Sequence, residues 1–329
     1  MNKKIGILFI GILVILLLFV VIYSASLGTV PISFKGIILS EIDRTIFVLR
    51  LKRIIQGMMV GGMLSISGVI FQAVLRNPLA DPYILGVSSG GGLGVVLAML
   101  IGGGLVRWGA FSLPLSGFLG SLLSIFMVKR LAQVDGRLPP QNLLLSGVVV
   151  GMILTNILIF IVWFFEDKLL RGVIWWLLGN LDVLENSLLF SITMVGILGL
   201  IFSFLFAREL NVLSLGEEEA VSLGIEVEKT KRFLIYLASL ITATAVAVCG
   251  IVGFVGLIVP HIMRFFSGNE HRVLIPSSFL GGAIFIVLSD TFARTILSPV
   301  EIPIGVITAF IGGAVFIYLL QKKKKVVFK

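Results

Sequence analysis

Charge is scarce in this chain. Only 13% of its 329 residues are Asp, Glu, Lys or Arg, about half the share that a soluble domain carries, while 58% are hydrophobic. That deficit excludes an ordinary soluble globule. Cysteine is nearly absent. Cys249 stands alone inside an apolar run, so there is no disulfide framework. Histidine occurs twice, at His261 and His271. HExxH, a Walker A lysine loop and a metal-spaced Cys/His set are all missing, which argues against a zinc hydrolase and against a chain that hydrolyses ATP by itself. No cofactor and no metal are expected. The apolar runs do not alternate with polar residues as barrel strands do, which leaves helices as the spanning element. The net charge of +9 does not call for a nucleic-acid partner, because positive charge in a membrane protein collects on its cytoplasmic face.

What is present is a series of apolar runs, at 5–23, 54–75, 84–106, 109–128, 143–165, 187–207, 233–259, 273–293 and 302–320. The first follows Lys3 and Lys4 and has no convincing cleavage site behind it, so it reads as a retained span. Nine crossings would separate the termini. Yet Lys3 and Lys4 at one end and Lys322 to Lys325 at the other both belong in the cytoplasm. The run from 233, carried on to 262, would be about 45 Å long as one helix, too long for a core of ~30 Å. Its middle reads CGIVGFVG, and Gly250 and Gly253 allow a break there. Two helices, 233–249 and 251–266, restore an even count of ten. With that topology roughly two-thirds of the 26 Lys and Arg residues lie on the side of the termini. The opposite segment, 28–53, is unusually basic for its side. GxxxG steps at Gly57–Gly61, Gly86–Gly90, Gly90–Gly94 and Gly147–Gly151 predict close helix contacts. The strings around Ser67-Gly68 and Cys249-Gly250 each precede a proline, Pro78 or Pro260, by the same interval, a faint internal echo.

One polar island interrupts the second half of the chain, RELNVLSLGEEEAVSLGIEVEKTKR over 208–232. Leucines and alanine alternate with glutamates, and Gly216 and Gly224 punctuate it. The pattern predicts two short amphipathic helices, broken at Gly216 and ending at Gly224. Glu217, Glu218 and Glu219 suit the positive end of the second helix. A surface for docking another protein and a solvated loop are the two readings of such a segment.

Two motifs invite an enzymatic or ion-coupled reading. Gly86-Val87-Ser88-Ser89-Gly90 matches GxSxG, but a nucleophile elbow needs a strand before it and a His and an acid nearby. Both histidines fall at the membrane edge in this topology. Asp290 is the acid at membrane depth, and Arg294 follows four residues later, which makes a local pair near the outer end and not a proton relay.

Taken in order, the motifs resemble the FecCD family of ABC import permeases over essentially the whole chain. The matching strings are GMLSISGVIFQ from Gly62, RNPLADP from Arg76, LGVSSG from Leu85, WLLG from Trp176, LSLGEEEAVSLG from Leu213, GIVGFVGLIVPHIMR from Gly250 and EIPIGVITAFIGGAVFIYLL from Glu301. The resemblance implies an all-α polytopic permease with about ten transmembrane helices, a type II importer architecture, both termini cytoplasmic and a single domain over 1–329. It implies a homodimer with the pathway on its two-fold axis, two ATPase subunits below and an extracytoplasmic solute-binding protein above. All of this would sit in the bacterial cytoplasmic membrane. The cargo would be an iron–siderophore, haem or cobalamin-type metal chelate. The island supplies the ATPase-coupling residues Leu213, Ser214, Leu215, Gly216, Glu217, Glu218, Ala220, Leu223 and Gly224. Arg50, Arg53 and Arg294 dock the binding protein, with phospholipid headgroups as the alternative partner. Here Lys52 stands where the family's Arg-x-Pro-Arg has proline. The cytoplasmic gate falls at Pro140, Gln141 and Asn142. An ion-gradient-driven transporter is the alternative from another class.

Overall fold

Helix makes up most of the described residues. A computed structural model describes residues 3–28, 30, 40–101, 112–164 and 167–327; Lys35 and Arg107, two of the basic residues assigned to the outer side, lie outside them. Thirteen α-helices are present among the described residues: α1 (Lys3–Ser26), α2 (Glu41–Val74), α3 (Val87–Ile101), α4 (Ser112–Ala132), α5 (Pro140–Val162), α6 (Asp167–Leu177), α7 (Asn186–Leu205), α8 (Ala207–Leu213), α9 (Glu217–Ser222), α10 (Val227–Cys249), α11 (Val255–Ser267), α12 (His271–Thr295) and α13 (Ile304–Val327). A 3₁₀ turn, Pro82–Leu85, precedes α3. Seven of the helices are long and apolar enough to cross a membrane, and three shorter apolar ones, Val87–Ile101, Val255–Ser267 and Ile304–Tyr318, complete ten. The break expected near Gly250 is there. α10 stops at Cys249, Gly250 takes φ +70, and α11 begins at Val255. The first run is part of the bundle, since Leu13, Leu17 and Val20 of α1 pack on Ala283, Ile284 and Val287 of α12.

α2 is the central post, about 51 Å long at 1.5 Å per residue and buried from Ile54 almost without interruption to Val74. It starts well before the apolar run. Ser40 caps it by accepting from the Asp43 N–H, and Glu41 and Asp43 occupy its first turn, where the helix dipole favours acids. With Lys52 in place of proline, nothing removes a backbone donor from this extension. The segment Arg50 to Arg53 is therefore helical, not a loop ahead of a span. The third span also differs. It begins at Val87, because Asp81 caps the 3₁₀ turn and Gly86 (φ +70) ends it. The eleven-residue α6 was not foreseen.

Glycines set the closest helix contacts. A Cβ on Gly61 would lie 2.1 Å from the Gly282 carbonyl oxygen of α12, and one on Gly90 would lie 2.4 Å from that of Gly120 in α4. Either contact is far inside van der Waals range, so the GxxxG steps serve backbone packing. The two halves of the internal echo meet as well. The α2 string and the α11 string touch at Gly68 and Gly256, where the corresponding distance is 1.8 Å. Beside that contact Gln72 donates to the Ala80, Gly256 and Leu257 carbonyls and accepts from Arg264.

Candidate functional site

The residues singled out in the sequence gather at two ends of the bundle. His271 opens α12 and Arg294 lies near its close, which separates the two ends by about 34 Å of helix.

At the end marked by His271 sits the island. α8 and α9 are the two short helices expected, with Gly216 between them and Gly224, at φ +78, after them. α8 turns Leu210 and Leu213 into the core, and α9 turns in Ala220. The opposite side shows Leu215, Val221 and Leu223, at 68%, 65% and 56% exposure. Of the residues assigned to coupling, Ser214, Leu215, Glu218, Leu223 and Gly224 are thus exposed, Leu213, Gly216 and Ala220 are buried, and Glu217 is half-buried. Leucine and valine are thus exposed to solvent on a segment that is otherwise highly polar.

Side chains outside the assigned set fasten the island. The Asn211 amide donates to Glu270 Oε1 at 2.8 Å, and its oxygen accepts from the His271 N–H at 2.9 Å, which secures α8 to the start of α12. Lys231 of α10 is 1% exposed, and its Nζ donates to Glu217 Oε1 at 3.0 Å and to Glu228 Oε1 at 3.3 Å. Glu228 Oε2 accepts from the Leu138 N–H at 3.1 Å. Leu138 belongs to the α4–α5 turn, whose Val134 and Arg137 exchange backbone hydrogen bonds around Asp135 and Gly136, both at positive φ, the geometry of a tight Asp-Gly turn. The proposed gate residues follow directly. Pro139 precedes α5, Pro140 is its first residue, Gln141 is exposed, and Asn142 is partly buried. Sequence reading counted Lys231 as one more surface cation. Its place one helical turn after Glu228 and below the glutamate run was the available signal.

At the other end the three arginines are not displayed to solvent. Arg50 is 7% exposed and donates to the Ala25 carbonyl at 3.0 Å and to that of Val30. Arg294 is 6% exposed, donates to the Ser24 carbonyl at 3.2 Å and to the Ser24 hydroxyl at 3.0 Å, and pairs with Asp290 at 3.1 Å. Arg53 reaches across from α2 and bonds Asp290 at 2.9 Å and Glu301 at 2.9 Å. Asp290 therefore holds two guanidinium groups, the expected Arg294 and the unexpected Arg53. Asp182, in the connection before α7, has its carboxyl raised by burial, with Arg53 opposing the shift and Glu301 adding to it. Together these groups bind α1, α2, α12 and the start of the last span.

Between the ends, the GxSxG segment opens α3 with no strand before it among the described residues. The Ser89 hydroxyl bonds that of Thr155 at 2.9 Å, and Ser121 and Ser124 of α4 donate to the Val87 and Leu85 carbonyls. His271 is committed to Asn211 at 2.7 Å. Among the described residues no group of three His, Cys, Asp or Glu side chains is placed to hold a metal. A groove of about 400 Å³ runs beside α5, with Tyr83, Ser89, Met152, Thr155 and Asn156 on its wall. Thr155 and Asn156 are exposed within a spanning helix, where contact with lipid would be unfavourable.

Known proteins match this arrangement. The cobalamin import system permease protein BtuC of Halobacterium salinarum is 41% identical over 84% of this chain and 73% of its own. The hemin transport system permease protein HmuU of Yersinia pestis is 34% identical over 97% and 96%. The iron(3+)-hydroxamate import system permease protein FhuG of Bacillus subtilis is 34% identical over 98% of both chains. A solved structure assigned to the metal-chelate type of ABC transporters, in an inward-facing conformation, superposes with a TM-score of 0.85 at 29% identity, covering 96% of this chain and 99% of its own. These relatives are transport permeases and not enzymes. The model of the FecCD transport family matches residues 16–322, and this multi-pass membrane protein belongs to that family.

Proposed function

We propose that the chain forms half of a homodimeric pore that imports a metal chelate by alternating access, driven by two separate ATPase subunits and fed by an extracytoplasmic binding protein. The observation that supports this reading is the exposed Leu215, Val221 and Leu223 edge of the island, apolar side chains left in solvent and rimmed by glutamates, the pattern of a protein interaction site. Docking of the ATPase at this edge makes the island end cytoplasmic, together with both chain termini and the gate at Pro140, Gln141 and Asn142. The α5 groove with Ser89, Thr155 and Asn156 then faces the pathway between the two copies. The relatives' cargoes are cobalamin, hemin and ferric hydroxamate, and we assign this chain an iron–siderophore or a chelate of the same class.

The outer end, where Arg50, Arg53 and Arg294 lie, receives the binding protein. Its guanidinium groups are already engaged within the chain. Docking there works by exchange, with a partner carboxylate taking the place of Glu301 on Arg53, and not by capture of free charges.

The test is uptake of labelled ferric hydroxamate, hemin and cobalamin by proteoliposomes holding the permease, its co-purified ATPase and the binding protein. Uptake of one chelate that needs internal ATP and ignores ionophores is expected. Uptake that persists without ATP and stops when the ion gradient is collapsed would establish the ion-driven alternative and overturn the reading.

A further inference from the structure

Lys231 is among the largest fully buried side chains in the molecule, and it carries a charge. Removing a partner from a buried ion pair leaves an uncompensated charge. The partners of Lys231 belong to different helices, Glu217 to α9 and Glu228 to α10. Glu217 is the first residue of α9, and its bond to Lys231 is, among the described residues, the only side-chain polar contact from α9 to another element. Glu228 lies in the first turn of α10 and uses its two oxygens in two directions, Oε1 toward Lys231 and Oε2 toward the Leu138 N–H. Leu138 is 1% exposed and immediately precedes Pro139 and Pro140. The neighbouring Arg232 donates to the Gly136 carbonyl in the same turn. A continuous polar path therefore runs from α9 through Lys231 and Glu228 to the turn that opens α5. Two prolines at the end of that path stiffen the backbone, so a displacement of Leu138 is passed to Gln141.

We propose that Lys231 is the positioning residue through which a displacement of α9 by the ATPase subunit reaches the α4–α5 turn and changes the opening at Pro140–Asn142. This rests on the reading of the island as the ATPase-docking segment. α9 has an apolar face for the partner on one side and one ionic bond to the membrane helices on the other. Pushing α9 must either drag Lys231 with it or leave this buried lysine with Glu228 alone, and taking one partner from a buried ion pair is unfavourable.

A single-cysteine reporter tests this. Cys249 is the chain's sole cysteine, so Cys249→Ala with Gln141→Cys leaves one thiol at an exposed position. Maleimide labelling of that thiol is timed in the permease–ATPase complex, without nucleotide and with a non-hydrolysable ATP analogue. With Lys231 in place the two rates should differ by roughly fivefold or more, the scale expected when a two-state equilibrium is displaced. Lys231→Met, which keeps the length of the side chain and removes its charge, should bring the ratio to about one, and Lys231→Arg should restore it. A merely structural lysine would lower the yield of complex and leave the ratio unchanged. If Lys231→Met does not assemble with the ATPase, Glu228→Ala decides, since it cuts the link at the Leu138 side, away from the docking edge, and should also flatten the ratio. A wild-type ratio in every variant that assembles would overturn the proposal. Failure of the wild-type chain to retain any ATPase would instead overturn the docking reading on which it rests.

Discussion

The two ends of this molecule treat charge in opposite ways. At the arginine end, Arg50, Arg53 and Arg294 are drawn inside and spent on Asp290, Glu301 and the carbonyls of α1. At the island end, one lysine is buried between two glutamates while Leu215, Val221 and Leu223 are left in solvent. Both segments stand out in the sequence as polar strings beside apolar runs. The difference lies in what each leaves unsatisfied. The arginine end is closed on itself, whereas the island leaves apolar side chains in solvent.

The contrast can be broken by mutation, and the largest effect falls on the closed end. Asp290→Ala strands Arg294 and half of Arg53's pairing in a buried site, which costs about 3–5 kcal/mol. The thermal unfolding midpoint in detergent should drop sharply, with ATPase binding intact in the molecules that remain folded. Leu215→Asp with Leu223→Asp should do the reverse. Both positions are exposed, so stability should change by no more than about 0.5 kcal/mol. Loss of an apolar anchor costs about 2 kcal/mol or more of binding, so affinity for the ATPase in a titration of the two purified proteins should fall at least roughly thirtyfold. Equal affinity would show that the apolar edge is not a docking surface.

A smaller effect is expected at Gly224. Nothing crowds a Cβ there, but φ +78 disfavours any side chain by about 1–2 kcal/mol. Gly224→Ala should weaken ATPase-stimulated transport by tilting the exit of α9 without touching the partner. Smallest is Glu301→Gln, which frees Arg53 from its more exposed partner. If docking proceeds by carboxylate exchange, association with the binding protein should quicken by roughly threefold at low salt, with the gain screened away at high salt. Surface plasmon resonance reads both rates, and an unchanged association rate would assign these arginines a purely internal role.

Much of this was legible in the sequence. The split at Gly250, the ten apolar helices, the pair of island helices and the Asp290–Arg294 pair all follow from run length, glycine placement and helical spacing. What was not legible depends on contacts between elements far apart in the chain. Arg53 meets Asp290 across 237 positions, and no local pattern announces that. The same holds for Leu138 and Glu228, 90 positions apart. α2 was begun too late because its first turns are polar. The cap at Ser40 was visible, but hydropathy does not register it. The positive-inside count treated Arg50, Arg53 and Lys231 as surface charges, though burial with partners removes them from that role.

The glycine contacts have a mechanical consequence. Where Gly61 lies against Gly282 and Gly90 against Gly120, backbone touches backbone, and no side chain stands between to absorb sliding by changing rotamer. α2 with α12, and α3 with α4, therefore form two closely packed blocks. Whatever rearrangement a transport cycle demands must be taken up in the connection between them, at residues 75–86, so cross-linking within either block should leave the cycle running while a clamp across that connection should stop it.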